Sequence, residues 1–477
     1  MLDSMGEMAV PDEALWGAST QRAVLNFPVS GRPMPAAFIR ALGLVKLAAA
    51  RANEELKRLS RTKSRSIQKA AREIAEGKLI AQFPIDVFQT GSGTSTNTNA
   101  NEVIVRRAAQ FAGAPPLHAN DDVNLGQSSN DVIPTALHVS VARSLHTNLA
   151  PALAVLEAAL AQKSADFAGV VKIGRTHLMD ATPVTLGQEF SGYCRQAGKA
   201  GERVQRAIVL LRELAIGGTA VGTGLNTHPG FAARVCRILS EETGLSFREA
   251  RNHFEAQAAR DDCVEVAGQL AAVAASLTKI ANDVRLLASG PRAGLAELRL
   301  PATQPGSSIM PGKVNPVMSE MLVQVGLYAQ GLMQTVMACG REGQLELNAT
   351  LPLIAHCLHE CIDCLAHGTR VFAERCVAGI EADEVRCREL ANSSLMLVTA
   401  LNPALGYDVA ASIAKEALVT GKSLREVVLA RGLMNTTDLD QALDPLQMAR
   451  PGPRPPAVER STEKQLAKRR RAARAKY

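Results

Sequence analysis

A long stretch of this chain, residues 262–289, most constrains the fold, because its apolar residues recur at intervals of two to four positions. This spacing lacks the strict alternation of a β-strand and predicts one long, mostly buried helix that ends at Gly290 and Pro291. Similar patterns cover residues 151–165, 190–214 and 317–337. Several such helices side by side predict an all-α fold with a central long-helix bundle.

Length and composition agree with this prediction and indicate how the chain divides. Its 477 residues are 47% apolar and only 3% aromatic, and its abundant Ala, Leu and Val suit closely packed helices. At roughly 150 residues per domain, about three domains are expected. We predict an N-terminal helical domain at 1–131, a central helical bundle at 132–385, a small C-terminal helical domain at 386–450 and a basic, disordered tail at 451–477.

The net charge of +7 comes from the tail. Residues 451–477 contain nine Lys or Arg and two Glu, which leaves 44 basic and 44 acidic residues in the rest of the chain. We interpret the tail as a solubilising appendage rather than a nucleic-acid-binding segment. Residues 1–10 lack the pattern of an export signal, and no run of about 18 apolar residues occurs, so we expect a soluble, cytoplasmic protein without a membrane partner. The nine cysteines are then expected to be reduced thiols.

Four segments interrupt the helical patterns with dense small polar residues, where function tends to concentrate. They span residues 90–102, 118–131, 174–183 and 306–316. Their hydroxyls and amides suit a small dianionic carboxylic acid, because neutral donors and helix N-termini bind carboxylates while a lysine adds charge. We expect no metal and no cofactor. Residues 217–224 look like a dinucleotide-binding loop, but they follow a helical segment without a strand-helix-strand context.

These segments resemble the signature blocks of the fumarase/aspartase superfamily. Residues 306–316 fill its GSSxMPxKxNP pattern without a mismatch, and residues 3–28, 217–226 and 397–403 match as well. The resemblance covers nearly the whole chain. It implies three helical domains and a homotetramer in which the long central helices of four subunits form a twenty-helix core. It also implies that each active site combines segments from three subunits.

The resemblance implies lyase chemistry, namely the reversible hydration of fumarate to L-malate. Elimination of water from malate needs a base for a weakly acidic proton, donors for the aci-carboxylate dianion and an acid for the departing hydroxyl. The family pattern assigns the base to Ser307 and pairs His177 with Glu320 on the oxygen side, but which of Ser307 and His177 removes the carbon proton stays open. Because an unassisted serine is a weak base, backbone N–H groups and Lys313 are expected to stabilise its ionised form.

The resemblance also implies the remaining site residues. The substrate is expected to contact Ser92, Thr94, Ser128, Ser129, Asn130, Thr176, Ser308, Lys313 and Asn315, and a secondary anion-binding position is expected at His118, Asn120 and Asp121. The sequence departs from the family pattern at three points. Ala119 replaces Pro and Leu125-Gly126 replaces Lys-Ser, which bears on the secondary position. Met179 replaces a frequent Gln beside His177.

Three alternatives accompany the hydratase. Aspartate ammonia-lyase shares the fold and the product fumarate, but fumarases resemble this chain in Ser128-Ser129-Asn130, where aspartases tend to carry Ser-Thr-Asn. An inactive scaffold that kept the fold is disfavoured by the retained catalytic residues. An iron–sulfur site is a third alternative, since Cys357, Cys361 and Cys364 have the spacing of a radical-type cluster. Thiols three and four positions apart on one helix face are better explained as core residues.

Overall fold

A computed structural model describes residues 1–451, most of which lie in helices. In this part of the chain the α-helices are α1 (Ala18–Asn26), α2 (Ala36–Glu55), α3 (Arg61–Ala75), α4 (Thr94–Ala109), α5 (Ser129–Ser144), α6 (Ala150–Asp166), α7 (Leu186–Leu210), α8 (Phe231–Thr243), α9 (His253–Ala258), α10 (Asp261–Leu287), α11 (Val317–Gly340), α12 (Leu351–Arg375), α13 (Glu384–Ser393), α14 (Asn402–Leu405), α15 (Tyr407–Thr420), α16 (Leu424–Ala430), α17 (Thr436–Ala442) and α18 (Pro445–Met448). The predicted all-α class is confirmed. The predicted tail lies outside the described residues, apart from Pro451.

Helix α10 is the long apolar stretch from which the helical fold was predicted. Its bounds lie within two residues of the predicted ones, and Val266, Leu270 and Val273 have no solvent exposure. Among residues 1–451 it is the one helix that is long and apolar enough to cross a membrane. It begins with two adjacent aspartates, and most of its large apolar side chains are buried inside the protein, although Leu286 is 41% exposed.

The described part of the chain also contains ten short strands in five two-stranded sheets. They are β1 (Leu2–Asp3), β2 (Gly6–Glu7), β3 (Val171–Thr176), β4 (Met179–Thr185), β5 (Glu213–Leu214), β6 (Arg248–Glu249), β7 (Leu298–Arg299), β8 (Gly343–Gln344), β9 (Leu347–Asn348) and β10 (Glu381–Ala382). Only β3 and β4 are longer than two residues, and they form an antiparallel hairpin. Sequence patterns predicted this segment only as a break between helices.

The chain folds into two compact units. Unit 1 contains Met1–Val155, Ala197–Ala281 and Glu320–Val371, and unit 2 contains Leu156–Gln196, Asn282–Ser319 and the described residues from Phe372 to Pro451. The boundaries fall inside α6, α7, α10, α11 and α12, so each of these long helices contributes residues to both units. The division into three domains and a tail stays a prediction.

Each unit has an apolar core that supports its polar loops. In unit 1, α2 packs against α3, α5 and α8, and its Phe38, Ile39 and Leu42 have no solvent exposure. In unit 2, α13 packs against β3, and the last helices surround Leu401 and Val427, which are also fully buried. Burial of these side chains supplies the rigid elements from which the functional segments project.

Candidate active site

A polar cavity in unit 1 collects several of the predicted substrate-binding residues. Its volume is about 400 Å³, which is in the range of small-molecule sites. Four predicted residues line it, namely Thr94, Asn120, Ser128 and Ser129. Sequence reasoning assigned no role to its other lining residues, which are Asn97, Thr98, Asn101, Asn124, Gly126, Gln127, Thr219, Ala220, Leu225 and Asn226.

The first turns of two helices meet at the polar cavity. Helix α4 begins after Gly93, whose φ of 73° lies in the left-handed region that favours glycine. Ser92 Oγ lies 2.7 Å from Thr94 Oγ1, which in turn lies 2.7 Å from Ser129 Oγ in the first turn of α5. The hydroxyls therefore form a chain between two helix N-termini, whose partial positive charge favours a bound carboxylate.

The first turn of α5 is held by its own cap and by residues 217–224, which we call the glycine loop. Ser128 Oγ accepts a hydrogen bond from Asn130 N, and Ser128 N donates to the side chain of Asp131 at 2.9 Å. These reciprocal bonds form a capping box. The Asn130 amide also donates to Ala220 O at 2.8 Å. The Ser-Ser-Asn motif is thus fixed in position, with Ser128 and Ser129 on the wall of the polar cavity.

Asn97 and Asn101 add polar groups that sequence reasoning missed. They are 4% and 2% exposed, and the side-chain oxygen of each has no hydrogen-bond partner within the described residues. Buried polar atoms are normally satisfied, so these two unpaired oxygens are exceptions beside the cavity. The available sequence signal was their spacing of four positions, which puts both on one face of α4.

The predicted secondary anion position lies on a turn that begins at His118. His118 Nδ1 accepts from Asp121 N at 3.1 Å, and the two side chains are 61% and 83% exposed. Asn120 lines the polar cavity, so one of the three residues predicted for the secondary position lies beside the residues predicted to bind the substrate. Asp122, which sequence reasoning missed, anchors the turn by accepting from His118 N at 2.9 Å and from Lys63 Nζ at 2.7 Å.

His177 lies at the tip of the β3–β4 hairpin in unit 2. His177 and Leu178 have φ angles of 57° and 62°, as required for the two-residue type I′ connection of a tight hairpin. Thr176 pairs with Met179 across this tip, and all four residues are exposed. Left-handed backbone at two non-glycine residues is strained, and such strain clusters at functional sites. The hairpin therefore presents the His177 imidazole to solvent on a short, rigid support.

Four charged side chains in unit 2 support this hairpin, and we call them the buried charge cluster. Glu297, which is fully buried, lies 2.9 Å from Arg175 Nη1 and 3.3 Å from Lys172 Nζ. Lys172 is 1% exposed and lies 2.9 Å from Glu189. Because Arg175 precedes His177 by two residues, the cluster anchors the strand that carries the histidine. Sequence reasoning missed the cluster, whose Arg175 and Glu297 are 122 residues apart.

Ser307 occupies a turn in unit 2 whose backbone donors point at its hydroxyl. Ile309 N and Met310 N donate to Ser307 Oγ at 3.2 Å and 3.0 Å. Two N–H donors stabilise negative charge on a serine oxygen, which favours the ionised form that is able to accept a proton. The structure therefore supplies the backbone donors that the sequence predicted for this residue.

Two further hydrogen bonds close the Ser307 turn. Gly306 N donates to Lys313 O and Asn315 Nδ2 donates to Gly306 O, both at 2.8 Å. The side chains of Ser308 and Lys313 are exposed, whereas Asn315 is partly buried. Asn315 therefore shapes the turn in addition to its predicted contact with substrate.

The two units divide the predicted catalytic residues. Ser307 and His177 belong to unit 2, together with Thr176, Ser308, Lys313 and Asn315. Glu320 belongs to unit 1, where it lies partly buried in the first turn of α11. The predicted pairing of His177 with Glu320 stays a prediction.

The cysteines of the iron–sulfur alternative all lie on α12. Burial raises the pKa of Cys357 to about 12 and also raises the pKa of Cys361 and Cys364. A raised pKa disfavours the thiolate form that ligates iron. Within residues 1–451, no three His, Cys, Asp or Glu side chains are arranged to hold a metal ion. This geometry supports the interpretation of these cysteines as core thiols.

One argument against a dinucleotide-binding loop was wrong. A strand-helix-strand order does occur, because β5 precedes the glycine loop, α8 follows it, and β6 pairs with β5 in parallel. Each strand has only two residues, however, and the pair is the whole of that sheet within the described chain. Such a pair does not form the crevice of a parallel sheet in which dinucleotides bind.

Comparison with known proteins gives matches along most of the chain. Residues 6–331 match the Lyase family, and residues 397–450 match the fumarase C C-terminus family. The class II fumarate hydratase of Mycobacterium tuberculosis is 53% identical over 94% of this chain and 95% of its own length. That of Halobacterium salinarum is 52% identical over 94% of this chain and 97% of its own length.

A solved structure extends the similarity to three dimensions. The crystal structure of the recombinant class II fumarase from Schistosoma mansoni is similar to this chain with a TM-score of 0.92 at 40% sequence identity. The match covers 95% of this chain and 99% of that one. The likeness therefore extends to the segments that carry the polar cavity, the His177 hairpin and the Ser307 turn.

Proposed function

The chain belongs to the class II fumarate hydratases of the Lyase family, and we propose that Ser307, His177 and Glu320 carry its reversible hydration of fumarate to L-malate. The observation that carries these roles is the pair of backbone N–H groups on Ser307 Oγ. A serine serves as a base only when its ionised oxygen is stabilised, and these donors provide that stabilisation.

In the direction from malate to fumarate, Ser307 takes the proton from the carbon next to one carboxylate. The electrons of that carbon–hydrogen bond move into the carboxylate and form the aci-carboxylate dianion. Lys313 and Asn315 hold this extra charge, because an ammonium and an amide donor stabilise the dianion more than the monoanionic ground state. Stronger binding of the charged intermediate lowers the barrier to proton removal.

His177 then acts on the oxygen side of the reaction. Paired with Glu320 and working through a water molecule, it supplies the proton with which the malate hydroxyl departs as water. The dianion collapses to the carbon–carbon double bond of fumarate, so charge and protons balance. The exposed tip of the β3–β4 hairpin suits this role, since it presents the imidazole outside its own unit's core.

The polar cavity binds the other carboxylate of the substrate in this proposal. Its hydroxyl chain, from Ser92 through Thr94 to Ser129, supplies neutral donors at two helix N-termini. Ser128 lines the same cavity, and Asn130 donates to Ala220 O beside it. Thr176 and Ser308 are further substrate contacts in this proposal. His118, Asn120 and Asp121 form the secondary anion position.

We also propose a cytoplasmic homotetramer with three helical domains per chain, which acts in the tricarboxylic acid cycle and builds each active site from three subunits. Leu327 and Tyr328 on α11 are 60% and 46% exposed, and Leu286 on α10 is 41% exposed. Large apolar side chains exposed on long helices are typical of subunit interfaces. A native mass of four times the 50.6 kDa chain is expected in solution. An active monomer would contradict the shared site.

The purified protein should hydrate fumarate and dehydrate L-malate, which the ultraviolet absorbance of fumarate reports directly. Chelator treatment beforehand should leave the rate unchanged, because the proposed chemistry uses only side chains and backbone donors. L-Aspartate is the control substrate. Turnover of aspartate but not malate would identify an ammonia-lyase, and turnover of neither would favour the inactive scaffold.

A further inference from the structure

Asp131 is a buried carboxylate on which three backbone N–H groups converge. It has no solvent exposure and does not line the polar cavity. Ser128 N donates to Oδ1 at 2.9 Å, while Gly217 N and Thr219 N donate to Oδ2 at 2.9 Å and 3.0 Å. One carboxylate therefore joins the first turn of α5 to the glycine loop, across 86 residues of sequence.

The glycine loop needs such an attachment because its backbone is strained. Thr219 has a φ of 54°, a conformation that β-branched residues rarely adopt. Its carbonyl oxygen accepts from Gln257 Nε2 at 2.9 Å, so Asp131 and Gln257 hold the N–H and C=O groups of the same residue. Thr219 and Ala220 both line the polar cavity. The shape of this wall thus depends on contacts made outside the cavity.

A second buried charge compensates Asp131. Lys46 on α2 is fully buried and donates to Asn124 Oδ1 at 2.9 Å and to Gln127 Oε1 at 3.0 Å, both on residues of the cavity wall. Burial raises the pKa of Asp131 to about 6 and lowers the pKa of Lys46 to about 7, while each charge favours the ionised form of the other. The three backbone N–H donors on its two oxygens also favour the carboxylate form of Asp131.

We propose that Asp131 is a positioning residue that fixes the spacing between two walls of the polar cavity, the first turn of α5 and the glycine loop. It touches no substrate and acts through Ser129, Asn130 and Ala220. The inference rests on the proposed function only in placing a substrate carboxylate in the cavity. Positioning matters because small displacements of several donors weaken binding together.

Asp131→Asn tests this role with little change in side-chain volume. A carboxylate accepts on both oxygens, whereas an amide turns its NH₂ group toward backbone donors on one side. Either α5 or the glycine loop then loses its hydrogen bond to residue 131, and the Asn130–Ala220 bond is left to join the two. The expected result is a KM for malate that is about 10-fold higher or more, with kcat within about threefold of wild type, because uniform binding is lost.

Asp86→Asn is the matched control. Asp86 is 6% exposed and accepts from Ser30 N and Gly31 N at 2.7 Å and from Phe88 N at 2.8 Å, away from the polar cavity. The same chemical change there should leave the KM within about twofold. Hydrogen exchange, which does not depend on activity, should be faster in residues 128–132 and 214–224 of Asp131→Asn only.

An unchanged KM, or unchanged exchange in both segments, would overturn the role of Asp131. An equal rise of KM in Asp86→Asn would overturn it too, since general destabilisation would then explain the effect. Should the wild type prefer aspartate, the proposed function fails, but the same KM comparison with aspartate decides the role of Asp131. Should it turn over neither, succinate affinity by calorimetry replaces KM in that comparison.

Discussion

Replacing Ser307 by alanine is expected to lower kcat for malate dehydration by about 10³-fold and to leave KM within about threefold. The substitution removes the oxygen that Ile309 N and Met310 N stabilise, so the base is lost while the carboxylate contacts in the polar cavity remain. Initial rates from fumarate absorbance, measured over a range of malate concentrations, separate the two constants. Circular dichroism should show unchanged helix content.

Thr303→Ala is the matched control for this experiment. Thr303 lies exposed four residues before Ser307 and also carries a hydroxyl, but it has no role in the proposed site. Its kcat should stay within about twofold of wild type. If Ser307→Ala keeps more than about a tenth of the wild-type kcat, another group removes the carbon proton, and His177 becomes the base to test.

Replacing Glu297 by glutamine is expected to reduce the free energy of unfolding by about 3 kcal/mol or more. Glu297 is fully buried between Lys172 and Arg175, so its neutralisation leaves two cations with Glu189 as the remaining carboxylate of the buried charge cluster. Because Arg175 anchors the strand that carries His177, kcat of the folded variant should also fall about 10-fold relative to wild type. Urea unfolding and rates at a temperature where the variant is folded measure both effects.

Glu381→Gln is the matched control for Glu297→Gln. Glu381 also pairs with an arginine, Arg299, at 3.3 Å, but the two side chains are 71% and 59% exposed. Exposed ion pairs contribute about 0–1 kcal/mol, so little stability should be lost. Equal losses of unfolding free energy in the two variants would show that burial does not increase the contribution of the cluster to stability. A fully active Glu297→Gln enzyme would show that the hairpin does not need this anchor.

Helical periodicity predicted α10 well and α7 less well, and the difference has a local cause. The pattern for α7 was predicted four residues too late at both ends, at 190–214 instead of Leu186–Leu210. Thr185 and Gln188 bond reciprocally and start the helix early. At the other end, Glu213 pairs with Arg248 in a short parallel sheet. Capping and strand pairing both override the apolar pattern there.

The motifs predicted part of the candidate site. Thr94, Ser128 and Ser129, which were predicted to contact the substrate, lie on one polar cavity, because short polar segments between helices project to a common surface. Asp131 stands in the second of those segments but received no role. Nothing in the neighbouring residues distinguishes a carboxylate that is buried from one that faces water.

The sequence by itself determined the helical class and the family and indicated candidate residues for the chemistry, since periodicity and motif spacing can be recognised without knowledge of the fold. Only the tertiary structure decided which charges are buried and what they hold in place. Asp131 meets Gly217 across 86 residues and Glu297 meets Arg175 across 122. The free energy of a buried charge depends on the partners that folding brings close to it. Because these partners lie far apart along the chain, local sequence patterns do not show which residues pair.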